Sequence, residues 1–144
     1  MINVSKVEKG IIIDHITVNR GYEVFRQLKL DRIEDVTVLM RNVPSKKMGK
    51  KDIIKIETDL DIDLTLLGLI DPGTTVNYIK EGEKIKKIKP PLPKVVHGIL
   101  KCKNPRCITQ YENVKNVKFY LANPEKREYR CSYCDSTTTL VESR

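Results

Sequence analysis

Apolar positions in the first ninety residues change period from one segment to the next. Ile11-Ile12-Ile13-Asp14-His15-Ile16 is short, β-branched and apolar, which predicts a strand. Asn19 then stands where an N-cap belongs, ahead of Gly21, Val24, Phe25 and Leu28, whose spacing predicts a helix with one buried face. Val36 to Met40 predicts a second strand and Lys51 to Ile56 a third, and Pro44-Ser45-Lys46-Lys47 between them predicts a hairpin with a long basic loop. Two periods compete from Leu60 to Ile70. Leu60, Ile62, Leu64 and Leu66 alternate as in a strand, whereas Leu60, Leu64 and Leu67 share a helical stripe; length, and Asp59 as a cap, favour the helix. Asp71-Pro72-Gly73 ends it, Thr75 to Ile79 predicts a strand, and Glu81-Gly82 turns the chain into a last one, Ile85 to Ile88.

The order is therefore βαββαβ plus one added strand, that of a ferredoxin-like sandwich in which both helices lie on one face of an antiparallel sheet. Lys89-Pro90-Pro91-Leu92-Pro93 follows, and three prolines in four residues fit neither a helix nor a central strand. This marks a boundary between a domain at residues 1–92 and a second at 93–144. The second reads as short β segments, at His97 to Lys101, Asn116 to Leu121, Tyr129 to Cys131 and Thr137 to Val141. The fold class is α+β, a ferredoxin-like domain followed by a small antiparallel β domain.

All four cysteines fall in that second domain, as Cys102-x4-Cys107 and Cys131-x2-Cys134. Two short cysteine knuckles bring four thiolates to one tetrahedral ion with little ordering of further backbone, and zinc is the ion that best suits them. Iron in a rubredoxin-like site is the alternative ion, and two disulfides the alternative chemistry. A domain this small gains from a metal the folding energy that its core cannot supply. Nothing in the sequence offers a water-activating base beside an open coordination position, so the site reads as structural.

The chain carries 27 Lys and Arg against 19 Asp and Glu, a net charge of +8. Most of that excess lies between Lys80 and Arg106, where nine basic residues meet two acids. Glycines are scattered, with no phosphate-binding loop of the P-loop or dinucleotide type, and no nucleophile with a base partner stands out. Catalysis by this chain alone is not expected. Lys50, Lys51 and Lys55 flank the third strand and Lys84, Lys86 and Lys87 the last. Such lysines usually form a solvated face; brought together beside Asp14, they could hold a ribose and a polyphosphate. Five of the eight aromatic residues, among them Tyr111, Phe119 and Tyr120, lie in the cysteine domain. With the basic segment they leave open a zinc-ribbon protein that binds nucleic acid. No apolar run approaches the length of a membrane span and the start lacks the apolar core of a signal peptide, so the expectation is a soluble, cytoplasmic protein.

Ile13-Asp14-His15-Ile16, the stretch Met48-Gly49-Lys50-Lys51-Asp52-Ile53-Ile54-Lys55-Ile56-Glu57, Thr75-Val76-Asn77, Leu92-Pro93 and the cysteine spacing together resemble the regulatory chain of aspartate carbamoyltransferase, nearly end to end. The resemblance implies a non-catalytic subunit of an enzyme of pyrimidine biosynthesis. Its N-terminal domain would bind the allosteric nucleotides CTP and ATP, and its C-terminal domain, with one structural zinc ion per chain, would dock on the catalytic chain. It also implies a homodimer of regulatory chains, with neither a membrane nor a nucleic acid as partner. By the same resemblance the effector site comprises Val4, Val7, Asp14, His15, Lys50, Lys55, Asn77 and Lys87. Val4 and Val7 would lie near the base, Lys55 at the ribose, and Lys87 with His15 at the phosphates. The zinc ligands are Cys102, Cys107, Cys131 and Cys134. Two departures stand out: Gly82 occupies a place where the family can carry an aromatic, and Arg106 differs in the loop Lys103-Asn104-Pro105-Arg106 that corresponds to the family's contact with the catalytic chain.

Overall fold

Ile11, Ile13 and Ile16 are 2% exposed or less while Ile12 between them is half-buried, so one side of this strand, β1 (Gly10–Thr17), is core. The computed structural model describes residues 6–140, which fall into two units, one ending at Pro91 and the other beginning at Leu92. In the first unit β1 is followed by helix α1 (Gly21–Gln27), strands β2 (Thr37–Ser45) and β3 (Gly49–Ile56), helix α2 (Leu64–Ile70) and strands β4 (Thr75–Lys80) and β5 (Glu83–Ile88). The strands form one antiparallel sheet in the order β2-β3-β1-β4-β5, the ferredoxin-like order with β5 added at one edge. Ile54 and Ile56 of β3 and Val76 of β4 extend the buried side of β1, and α1 packs on that sheet and against α2.

Several elements depart from the sequence expectation, each for a physical reason. Asn19 does not cap α1: its φ is 73° and its side chain accepts from Arg41 Nη2 at 2.9 Å, while the residue at the N-cap position is Arg20, with no side-chain cap bond. The cap comes instead from β3, where the fully buried Asp52 accepts the Gly21 amide at 2.9 Å through Oδ2 and the Asn42 amide at 3.0 Å through Oδ1. A Cβ on Gly21 would stand 2.8 Å from that carboxylate oxygen, so the helix start is shaped for glycine. The second helix is capped by Asp63, which accepts from the Leu66 amide at 3.0 Å, and not by Asp59, which pairs with Lys9 at 2.5 Å. The hairpin loop is short, because β2 runs on through Pro44 and pairs Ser45 with Gly49. Proline is tolerated there since β2 is an edge strand and needs no amide on its free side.

The second unit is a four-stranded antiparallel sheet, β6 (Val95–His97), β7 (Lys118–Asn123), β8 (Glu128–Cys131) and β9 (Thr137–Thr138), in that order. Its core is small: Val96, Leu100, Phe119 and the fully buried Tyr129, with the cysteines. The strand expected at His97 to Lys101 lies instead at Val95–His97, because Gly98, at φ 70°, turns away and donates to Val117 O. Among the described residues no helix is long and apolar enough to cross a membrane.

Candidate functional sites

The side of the first sheet opposite the helices carries the polar residues. Strand pairing places Lys55 opposite Ile12, Ile12 opposite Asn77 and Asn77 opposite Lys87, so that one row crosses β3, β1, β4 and β5. Residues directly opposite one another share a face, so Lys55, Asn77 and Lys87 line the same surface. Asn77 is only 3% exposed, and its Oδ1 is buried with no hydrogen-bond partner in the chain. Above the row, β1 carries a bulge between Ile13 and Ile16, with His15 at φ 58°. The extra residue turns Asp14 and His15 together toward the polar face while Ile16 returns to the core.

Asp14 Oδ1 lies 2.9 Å from Lys51 Nζ and 3.8 Å from His15 Nδ1, and it accepts the His15 amide at 2.6 Å. His15 Nδ1 is 2.8 Å from Thr75 Oγ1. Burial by itself would raise the Asp14 carboxyl, but the Lys51 hydrogen bond, the His15 amide and the charges of Lys51 and His15 outweigh it and hold the group below its usual value. The His15 imidazole is lowered, first by burial, then by the positive charges of Lys51, Lys47 and Lys87, against the pull of Asp14. Surrounded by lysines of β3, β5 and the β2–β3 turn, this is a surface suited to an anion.

Among the residues expected at the site, Asp14, His15, Lys55, Asn77 and Lys87 share this face. Val7 is buried, just ahead of β1. Val4 lies outside the described residues. Lys50 is placed differently: β3 alternates regularly, and Lys50 has the parity of Asp52, Ile54 and Ile56, away from Lys51 and Lys55. Lys51 and Thr75 are the residues of the cluster that the expected set lacked. Alternation along Lys51, Ile53 and Lys55 is the signal that could have found the first.

In the second unit Cys102 and Cys107 lie in the loop between β6 and β7, Cys131 ends β8 and Cys134 follows in the next turn. Their sulfurs all lie within 4.8 Å of one another, with Cys102 to Cys134 at 3.4 Å and Cys107 to Cys131 at 3.9 Å. Four thiolates around a zinc ion stand about 3.8 Å apart, whereas a disulfide needs about 2.0 Å, so the geometry fits the ion and all four thiols are free. Burial pushes the Cys102 thiol up to about 12 and Cys131 upward, while hydrogen bonds from Ser136 bring Cys134 down to about 6. A divalent cation supplies the charge that buried thiolates lack. Thr109 Oγ1 donates to Cys107 Sγ at 3.1 Å and the Tyr133 amide to Cys131 Sγ at 3.4 Å, which orients those two ligands.

Two family models match the chain: "Aspartate carbamoyltransferase regulatory chain, allosteric domain" over residues 2–91, and "Aspartate carbamoyltransferase regulatory chain, metal binding domain" over residues 94–143. Curated relatives are similar over almost their whole length. An aspartate carbamoyltransferase regulatory chain of Clostridium tetani is 49% identical over 144 residues, 99% of each chain. One from Clostridium botulinum is 48% identical over 136 residues, 94% of this chain and 92% of the relative, and one from Bifidobacterium longum is 41% identical over 137 residues, 95% and 99% respectively. Zinc is the ion of that metal-binding domain, and the four cysteines provide for one ion.

Proposed function

Because the chain belongs to the family of aspartate carbamoyltransferase regulatory chains, non-catalytic subunits of that enzyme, we propose that its first unit binds a nucleotide effector, CTP or ATP, on the polar face of the five-stranded sheet, and that its zinc unit docks on the catalytic chain. The observation that carries this reading is the convergence of Lys51, Lys55 and Lys87 with Asp14 and His15 around a buried, unpartnered amide oxygen of Asn77. The lysines and His15 neutralise the polyphosphate, Lys55 and Asp14 hold the ribose hydroxyls, and Asn77 accepts from a donor that the chain itself does not supply. Lys51, and not Lys50, belongs to this set. Val7, buried just ahead of β1, lies near the base in this reading.

Docking falls to the loop Lys103 to Arg106 and the adjoining turn. This loop is fixed from within, with the Cys107 amide donating to Asn104 O at 3.1 Å, the Arg106 amide to Asn104 Oδ1 at 3.0 Å and Tyr111 Oη to Pro105 O at 2.9 Å. Ile108 and Tyr111 stand 48% and 77% exposed beside it, an apolar surface for a partner. The zinc ion contributes no chemistry to a reaction; it holds this loop in shape. The working assembly would pair regulatory chains as homodimers and join them to catalytic chains in the cytoplasm, where thiols stay reduced, to regulate pyrimidine synthesis. Regulation then follows from differential affinity: a nucleotide that binds one state of the assembly better shifts it toward that state. The nucleic-acid alternative has less to stand on, since Lys87 of the basic stretch faces the effector row.

The test separates the two roles. Lys87→Ala should weaken CTP binding by about tenfold or more, the loss of a charge-assisted contact, while zinc content and docking on the catalytic chain stay intact. Cys131→Ala should lose zinc and docking. Unchanged nucleotide affinity in Lys87→Ala would remove the effector assignment.

A further inference from the structure

The segment joining the two units is fastened at each end to its own unit. On the first side, Pro90 is buried and Pro91 lies directly on α2 at Gly68, where a Cβ would stand 2.3 Å from Pro91 O, 3.2 Å from its carbonyl carbon and 3.5 Å from Pro90 Cβ. Only a residue without a side chain allows that approach, and α2 is otherwise a leucine-rich helix in which glycine costs stability. On the second side, Tyr129 Oη donates to Pro93 O at 2.5 Å, and the Leu121 amide donates to Lys94 O at 2.9 Å. Tyr129 has no exposed surface, and burial raises its hydroxyl to about 12, so it remains a donor at any physiological pH.

Proline rings fix φ at Pro91 and Pro93, and a residue before proline is restricted as well. The contacts above fix the carbonyls of the same two prolines. What stays freest is φ of the half-buried Leu92, whose ψ the following proline narrows to the extended range.

We propose that Gly68 and Tyr129 act as positioning residues that confine the joint between the units to Leu92, and thereby set how much of an event in the first unit reaches the second. A joint with one free residue transmits a bias that a loose linker would dissipate as independent motion. The geometric half stands without the regulatory reading; the coupling half rests on it.

The test uses the full zinc-loaded chain and the reconstituted enzyme, with Gly68→Ala and Tyr129→Phe as variants and zinc content as the check on folding. In the unaltered chain, backbone amide relaxation should find the Leu92 and Lys94 amides, which share peptide planes with the Pro91 and Pro93 carbonyls, as rigid as the sheet of their own unit. Tyr129→Phe should loosen Lys94, and Gly68→Ala should loosen Leu92. In the enzyme, either variant should lower the nucleotide-induced change in aspartate affinity by about threefold or more, with CTP affinity of the chain itself unchanged. Rigid Leu92 and Lys94 amides in both variants would overturn the proposal, as would mobile ones in the unaltered chain or undiminished coupling in variants whose amides have loosened. If the unaltered chain binds no nucleotide, the regulatory reading fails instead, and the amide measurements alone decide the joint. Should one variant lose its fold, the other, placed in the opposite unit, decides the proposal by the same two readouts.

Discussion

His15 sits in a left-handed conformation on a strand bulge, with Thr75 on one side, Asp14 on the other and the charges of Lys47, Lys51 and Lys87 around it. Its lowered pKa has a definite sign for stability. Below about 6.5 an unfolded histidine takes up a proton that the folded one resists, so the folded chain loses stability as pH falls from there toward the folded value. Asp14 acts lower on the scale: its depressed carboxyl stabilises the fold above about 4 and loses that contribution as pH drops through the folded value. A polyphosphate beside His15 would reverse the balance and favour the imidazolium, so nucleotide binding should take up a proton and tighten as pH falls from about 7.5 to 6.5, by at most about tenfold. Calorimetry in two buffers of different ionisation enthalpy measures that uptake, and its absence would place the phosphates away from His15. Lys51→Ala should weaken CTP binding whereas Lys50→Ala should leave it within about twofold, as expected of a solvated lysine. Much of this cluster is legible in the sequence by resemblance: Asp14, His15, Lys55, Asn77 and Lys87. Lys50 stands in that reading where the fold puts Lys51, because neighbouring lysines look alike until strand parity sorts them.

Elements in the first unit are held by carboxylates that reach across the fold. Asp52 from β3 caps α1 and ties down the β2 bulge at Asn42, and Asp71, at the end of α2, accepts both the amide and the hydroxyl of Thr17 at 2.8 Å. The turn from β1 into α1 is thus pinned from two sides by residues distant in sequence. Asp52→Ala would leave two amides without a partner at a buried site and should cost about 2–4 kcal/mol in chemical denaturation. Asp63→Ala removes an exposed local cap and should cost about 1 kcal/mol. Comparable losses for the two would contradict the tertiary cap. Hydrophobic period suffices to find both helices and the five strands of this sheet. It cannot find these caps, because Asn19 and Asp59 are plausible in local sequence and only the sheet register brings Asp52 to Gly21.

The molecule as a whole is two units stabilised in different ways. Residues up to Pro91 bury a continuous isoleucine and leucine core, while the second unit has a handful of core side chains and four thiols. Metal binding there contributes on the order of 10 kcal/mol to folding. Stripping zinc with a chelator should therefore unfold the second unit and abolish docking, yet leave the β-sheet signal and nucleotide affinity of the first. Loss of both units together would show that they are not independently stable. The cysteine spacing makes the metal site legible from sequence alone, whereas the strand boundaries around it are not, since short strands carry little periodicity and Gly98 redirects the chain.

Calorimetric titration of the zinc-loaded chain with CTP and with ATP at physiological salt tests whether the polar face of the first sheet is an effector site. Saturable binding of about one nucleotide per chain, with each nucleotide displacing the other, is the predicted result. A chain that folds, holds its zinc and binds neither nucleotide would contradict it.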